Sequence, residues 1–143
     1  TLVMLDVRTG EVLAMVSAPS FNPNNRQEYQ GNATRNRALT DLIEPGSTMK
    51  PFTIVSALES RRFNADTVID TNPGRYYVGQ HLIRDVHNYG ALTLQQVLSK
   101  SSNVGISKIS LTLPSEQLMG TFHRLGFGDV TYTPFPGERH GML

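Results

Sequence analysis

The segment Glu44-Pro45-Gly46-Ser47-Thr48-Met49-Lys50-Pro51 places a serine three residues before a lysine. A serine hydroxyl is a poor nucleophile until a base removes its proton. If Ser47 opens a helix, the side chains of Ser47 and Lys50 share one face, with Cβ atoms about 5–6 Å apart. Burial and a nearby helix N-terminus both disfavour the charged form of a lysine and lower its pKa. The spacing therefore suits an acyl-transfer pair in which Lys50 is the base and Ser47 the nucleophile.

A plainer interpretation of the same residues is that Ser47 caps a helix while Lys50 points into water. A bare S-x-x-K pattern occurs by chance in many proteins. The flanking residues favour the catalytic interpretation, because Pro45-Gly46 and Pro51 together define the helix start at the serine. That helix N-terminus would also stabilise negative charge developing on Ser47 or on an oxyanion beside it.

A second candidate is the triplet Ser101-Ser102-Asn103, which separates two predicted helices. The Ser101 hydroxyl is placed to pass a proton to a leaving group. Asn103, which carries both a donor and an acceptor, is suited to hold a substrate amide. The alternative is an ordinary turn between helices, in which Ser102 or Asn103 caps the second helix.

Composition excludes several other classes of function. Thirteen Lys and Arg residues against twelve Asp and Glu leave a net charge of +1, which is too balanced for binding to nucleic-acid phosphates. The chain has no cysteine, which excludes disulfides, thiolate metal sites and a cysteine nucleophile. The four histidines lack the spacing of metal ligands, and Asp70 and Asp85 are isolated carboxylates with no paired acid–base arrangement. We expect neither a metal nor a cofactor.

The elements that position these residues begin with two apolar runs, at 2–5 and 12–16, separated by turn residues. They predict an antiparallel hairpin that is too apolar to face water and should be covered. A long irregular connection follows over 18–37. A short helix is predicted over 37–43, and a longer one from Ser47 with a buried stripe of apolar side chains. That stripe consists of Phe52, Ile54, Val55 and Leu58.

Short strands are predicted at 68–69, 76–78 and 81–84. Thr93-Leu94-Gln95-Gln96 is a capping box that predicts a helix to about Lys100, and two more helices should follow the Ser101–Asn103 triplet. A hairpin followed by a mostly helical stretch indicates an α+β fold, since βαβ alternation is missing.

The order of the two motifs, with Ser101 lying 54 residues after Ser47, resembles that of the penicillin-recognising serine acyltransferases. Around the motifs, the chain resembles class B penicillin-binding proteins, and more narrowly the septal, cell-division transpeptidase. The segments that carry this resemblance are 6–15, 35–38, 44–52, 92–94, 97–105, 127–128 and 136–138.

The resemblance implies a penicillin-binding, β-lactamase-like transpeptidase fold and a bacterial peptidoglycan D,D-transpeptidase without cofactors. Ser47 would attack the D-Ala–D-Ala bond of a stem peptide, with Lys50 as the general base. Ser101 would relay a proton, and Asn103 would bind the side chain of the stem peptide or of a β-lactam. Its partners would be peptidoglycan stem peptides, β-lactam antibiotics and, through the parent chain, divisome membrane proteins.

One departure from the family pattern is that no Lys-Ser/Thr-Gly motif occurs in these 143 residues. The resemblance therefore implies that residues 1–143 are a partial transpeptidase domain, consisting of the N-terminal hairpin and the helical subdomain and lacking the later sheet strands. We expect this piece to be inactive alone. Its parent would lie on the periplasmic face of the bacterial inner membrane, with the anchor outside these residues.

Two alternatives share the same motifs. A serine β-lactamase or D,D-carboxypeptidase is the nearer one, although no E-x-x-L-N run follows the S-x-N triplet to supply a deacylating glutamate. The other is a non-catalytic β-lactam sensor or a structural module.

Overall fold

The protein is described here from a computed structural model that covers residues 1–29 and 31–143. Two compact units are present: one combines residues 1–43 with 129–142, and the other consists of residues 44–128 with Leu143. No helix in the described ranges is both long enough and apolar enough to cross a membrane.

The first unit is built on the predicted hairpin, formed by β1 (Leu2–Leu5) and β2 (Val12–Val16). The two strands are antiparallel, and Gly10 closes their turn with a φ of 76°, a value that glycine adopts without steric cost. The expected cover is not found among the described residues, because the large side chains of both strands, except Met15, remain about half exposed.

The predicted irregular connection follows β2 and contains two short 3₁₀ helices, Arg26–Glu28 and Gly31–Thr34; Gln30 lies outside the described residues. The next helix, α1 (Arg37–Thr40), stops before the predicted Ile43. Asp41 has already turned to an extended conformation, and its carboxylate pairs with Arg35 and Arg37.

The second unit contains the remaining helices and strands. A 3₁₀ turn, Gly46–Met49, leads into α2, and three helices follow later in the chain; their bounds are α2 Lys50–Glu59, α3 Leu94–Ser99, α4 Asn103–Thr112 and α5 Ser115–Arg124. The short strands are β3 Val68–Asp70, β4 Arg75–Val78, β5 His81–Arg84 and β6 Ala91–Thr93. Strand β3 pairs antiparallel with β6, and β4 pairs antiparallel with β5. The α+β prediction is confirmed.

The core of this unit lies between the helices and the β3–β6 pair. Its buried apolar members are Ile54, Ala57, Leu92, Leu94, Val97, Ile109 and Leu113. The predicted stripe on α2 is wrong in part, because Val55 and Leu58 are 40% and 44% exposed. The buried face instead carries Thr53, Ile54, Ser56 and Ala57, and it contacts α4 and α5. The small Ser56 and Ala57 side chains allow neighbouring helices to approach closely.

Helices α3 and α4 each begin at a local side-chain cap. Thr93 and Gln96 form the predicted capping box at the start of α3, with the Thr93 side chain accepting from the Gln96 N–H and the Gln96 side chain accepting from the Thr93 N–H. Ser102 caps α4 by accepting from the Gly105 N–H at 2.8 Å. Each of these two helices therefore begins at a side chain that caps it.

Candidate active site

Ser47 and Lys50 lie at the N-terminal end of α2, as predicted. Gly46 has a φ of 60°, which turns the chain into the 3₁₀ helix that contains Ser47. The Lys50 N–H donates to the Ser47 carbonyl, so the two residues are one 3₁₀ turn apart. Because a 3₁₀ helix has three residues per turn, side chains three positions apart lie directly above one another. Ser47 is exposed, whereas only 8% of Lys50 is exposed.

Ser101 and Asn103 approach this pair from the turn between α3 and α4. Ser101 has a φ of 53°, the left-handed conformation that costs a non-glycine residue about 1 kcal/mol or more. Its N–H donates to the Leu98 carbonyl, and the Ser102 N–H donates to the Val97 carbonyl. These bonds and the Ser102 cap hold the strained turn in place.

Three atoms of this turn accept hydrogen bonds from the Lys50 amine. The Lys50 Nζ contacts the Ser101 carbonyl at 2.5 Å, the Ser101 Oγ at 2.9 Å and the Asn103 Oδ1 at 2.6 Å. The Ser101 Oγ in turn donates to the Ser47 Oγ at 3.1 Å. All four residues predicted from the sequence therefore meet at one place, and Ser47 is linked to Lys50 through the Ser101 hydroxyl.

The lysine amine is subject to two opposing influences on its pKa. Burial lowers the pKa of Lys50 below its ordinary value of 10.5, and the negative charge of Asp85 opposes this by raising it. A neutral amine has two N–H donors and one lone pair. The Ser101 carbonyl and the Asn103 Oδ1 are obligate acceptors for the two donors, while the Ser101 hydroxyl is able either to accept or to donate. Lys50 can therefore lose a proton without giving up a contact.

The group faces an open cleft of about 410 Å³. Its lining includes Ser47, Lys50 and Asn103, together with three further residues that carry hydroxyl groups, Thr53, Ser107 and Ser110. Polar side chains that converge on a cleft are typical of a site that orients a small molecule or a peptide.

Asp85 is a member of this site that the sequence pattern did not indicate. In the sequence it is an isolated carboxylate, but its Oδ2 accepts from the Ser102 Oγ at 2.7 Å and its Oδ1 accepts from the Val104 N–H at 3.0 Å. The neighbouring Arg84 carbonyl accepts from the Asn103 Nδ2 at 2.9 Å. No spacing rule signals these contacts, because they depend on where strand β5 ends in three dimensions.

In residues 1–29 and 31–143, no three side chains of the His, Cys, Asp or Glu type are grouped in a way that would hold a metal ion.

Comparison with known proteins places this geometry in a family context. Residues 1–143 match the family described as the penicillin binding protein transpeptidase domain. The peptidoglycan D,D-transpeptidase FtsI of Escherichia coli K12 is 47% identical over 140 residues, which are 98% of this chain and 24% of that protein. The chain thus spans about a quarter of the length of this curated relative.

Two solved structures have the same fold. A crystal structure from Burkholderia ambifaria, described as a peptidoglycan glycosyltransferase, matches with a TM-score of 0.83 and 38% identity, covering 99% of this chain and 40% of that one. The apo transpeptidase (TP) domain of Burkholderia pseudomallei penicillin-binding protein 3 matches with a TM-score of 0.72 and 39% identity, covering 76% of this chain and 33% of that one. The predicted transpeptidase fold is confirmed. With a family match that runs from the first residue to the last, this chain belongs to the penicillin-binding protein transpeptidase family.

Proposed function

We propose that these 143 residues are part of a longer peptidoglycan D,D-transpeptidase that cross-links stem peptides through a Ser47 acyl-enzyme during septal wall synthesis and is inhibited by β-lactams. The observation that carries the proposal is the hydrogen-bonded series from the Ser47 Oγ through the Ser101 Oγ to the largely buried Lys50 Nζ. The septal role is supported by the identity to the E. coli transpeptidase FtsI.

In acylation, the Ser47 oxygen attacks the carbonyl carbon of the D-Ala–D-Ala peptide bond. The Ser47 proton passes to the Ser101 Oγ as the Ser101 proton passes to the neutral Lys50 Nζ, which becomes an ammonium. When the tetrahedral intermediate collapses, the C–N bond breaks and the leaving nitrogen takes a proton back through Ser101. D-alanine departs, Lys50 is neutral again, and an ester joins Ser47 to the stem peptide.

In the second half-reaction, an amine of a neighbouring stem attacks this ester. Its surplus proton follows the same relay to the Ser47 oxygen, so the C–O bond breaks, the serine hydroxyl is restored and an amide cross-link remains. Asn103 holds the substrate amide with its Nδ2 or Oδ1. The Ser47 N–H supplies one donor to the oxyanion, as the family resemblance implies.

The direct test is mass spectrometry of the parent polypeptide, meaning the full-length protein that contains these residues, after exposure to a labelled penicillin. We expect one adduct on Ser47 that Ser47→Ala abolishes. Ser99→Ala is the matched control, because Ser99 lies exposed on α3 and bonds the Gln96 carbonyl of its own helix. A parent that forms no adduct, or one that is labelled equally after Ser47→Ala, contradicts the proposal.

The isolated residues 1–143 should label far more slowly than the parent. They lack a Lys-Ser/Thr-Gly motif, which in the family borders the cleft and completes the oxyanion site. Loss of one oxyanion donor typically costs about 10²–10³ in rate. Rapid stoichiometric labelling of the 143-residue piece would contradict this part of the proposal.

The same labelling experiment separates the alternatives. A β-lactamase would release hydrolysed penicillin quickly, whereas a transpeptidase or a sensor would keep the adduct for hours, and only a transpeptidase would also cross-link stem peptides. Among the described residues that line the cleft none is a glutamate, the side chain that activates the deacylating water in class A β-lactamases.

The proposal extends to the location of the parent. It would lie on the periplasmic face of the inner membrane, held by an anchor outside these residues, and would meet divisome membrane proteins there. Fractionation of cells that express a tagged parent tests this placement, and recovery of the parent in the cytoplasm would contradict it.

A further inference from the structure

The end of strand β5 holds the turn that carries Ser101 and Asn103 through three hydrogen bonds. Two go to the Asp85 carboxylate, from the Ser102 Oγ at 2.7 Å and from the Val104 N–H at 3.0 Å. The third goes from the Asn103 Nδ2 to the Arg84 carbonyl at 2.9 Å. Ser102 and Val104 flank Asn103, so the carboxylate contacts the turn on both sides of one of the two residues that bond the Lys50 amine.

Resting on the proposed function, we propose that Asp85 is a positioning residue of the acylation step: its carboxylate fixes the Ser101–Asn103 turn and places a negative charge beside the residues that contact the Lys50 Nζ. Both carboxylate oxygens are engaged with the turn. Asp85 acts through Ser102 and Val104 and not by touching substrate. Hydrogen bonds to a charged acceptor are roughly twice as strong as those between neutral groups, which suits a carboxylate to hold a strained turn.

The location of the carboxylate also favours this role. It accepts a backbone N–H from the first turn of α4, where the helix dipole stabilises negative charge. Ser102 completes the arrangement, since its Oγ donates to Asp85 while accepting from the Gly105 N–H. One carboxylate therefore accepts hydrogen bonds both from the first turn of α4 and from the turn that carries Ser101 and Asn103.

The counter-charge role follows from the geometry of the turn, because the Asp85 carboxylate bonds Ser102 and Val104 on either side of Asn103, whose Oδ1 lies 2.6 Å from the Lys50 Nζ. Among the described groups, Asp85 is the charged side chain whose field raises the pKa of Lys50 against the effect of burial. The other charged groups on elements packed against α2 have different partners or face solvent. The Lys108 Nζ donates to the Asp70 carbonyl, Arg124 pairs with Glu59, and Lys100, Glu116 and His123 are exposed.

The sign of the expected effect is fixed by this arrangement. Lys50 acts as a base only when it is neutral, so the acylation rate falls as the pH drops through the pKa of Lys50. Asp85→Asn keeps the shape and removes the negative charge, which lowers the pKa of Lys50 further. The acidic limb of the rate profile should therefore move to lower pH.

The test measures the second-order rate of labelling by a fluorescent penicillin from pH 5 to 10 in the parent polypeptide. Asp85→Asn should shift the acidic limb to lower pH, and its plateau rate should stay within about tenfold of that of the unaltered protein. Asp85→Ala also removes both hydrogen bonds, so the turn is displaced and the plateau should fall by about 10–100-fold. Asp70→Asn is the matched control, because the Asp70 carboxylate bonds Asn72 away from the site; its profile should equal that of the unaltered protein.

Thermal unfolding of each variant separates misfolding from a misplaced turn. An acidic limb that does not move in folded Asp85→Asn overturns the counter-charge role, and an unchanged plateau in folded Asp85→Ala overturns the positioning role. If Asp85→Ala does not fold, the proposal is judged on the pH position of the acidic limb in Asp85→Asn alone. If the unaltered parent is never labelled, the proposed function itself is contradicted. If the parent is labelled normally and the Asp85 variants behave like it, only the proposed role of Asp85 is contradicted.

Discussion

Gly105 is the position at which a single methyl group should disturb the active site most from outside it. A Cβ built on Gly105 would lie 2.7 and 2.9 Å from the two Val97 methyl carbons and 3.0 Å from the Ser102 Oγ. Val97 is fully buried, so it has nowhere to move. We expect Gly105→Ala to push α4 away from α3 and to weaken the Ser102 cap.

The expected loss in the free energy of unfolding follows from these contacts. Overpacking of a close-packed core costs about 1–3 kcal/mol, and loss of a serine N-cap costs about 1 kcal/mol. The higher helix propensity of alanine returns about 1 kcal/mol. A net loss of about 1–3 kcal/mol in the free energy of unfolding is expected. Because the cap adjoins Ser101, penicillin labelling should also slow by about 10–100-fold.

Gly120→Ala provides the matched control. Gly120 lies within α5, and the nearest atom to its added methyl group would be the Arg124 Nη1 at 3.8 Å, an ordinary contact. This variant should be as stable as the unaltered protein or more stable, by up to about 1 kcal/mol. Denaturant unfolding and penicillin labelling of both variants in the parent polypeptide test the reasoning, which is refuted if Gly105→Ala is as stable and as reactive as Gly120→Ala.

Two further predictions concern buried polar groups of α2. Lys50→Met should abolish penicillin labelling and also change how stability depends on pH. Since burial lowers the pKa of Lys50 in the folded protein, the unfolding free energy should rise with pH between that lowered pKa and 10.5, and Lys50→Met should remove this component; an identical pH slope in the variant would contradict the assignment. Ser56→Ala should leave stability unchanged or raise it by about 1–2 kcal/mol, because the Ser56 Oγ is buried without a hydrogen-bond partner among the described residues. Chemical denaturation measures this, and a loss of more than about 1 kcal/mol would show that the hydroxyl has a partner.

Local sequence predicted the helix starts well. The Thr93–Gln96 capping box forms as expected, and Ser47 lies one turn before Lys50 at a start bounded by Gly46 and Pro51. The Ser101–Asn103 turn is both a helix cap and part of the site: Ser102 caps α4, while Ser101 and Asn103 contact Lys50. Such features depend on residues within a few positions of one another, which is why spacing revealed them.

Apolar periodicity predicted the buried face of α2 less well. Val55 and Leu58 are substantially exposed, whereas Ser56 and Ala57 are fully buried. The face that a helix buries depends on how closely its neighbours approach, and here α4 and α5 lie against the small side chains. Apolar periodicity likewise does not predict that β3 pairs with β6, because the pair joins segments about twenty residues apart across the β4–β5 hairpin.

The two motifs, the helix starts that display them and the chemistry available to a serine, a lysine and an amide can all be predicted from the order of residues. The burial of Lys50 against the Ser101–Asn103 turn, and the contact of Asp85 with this turn, arise only when the chain has folded. The physical reason is that capping and helical spacing are local interactions. The protonation of a lysine, in contrast, depends on burial and on charges brought close by segments that are distant along the chain.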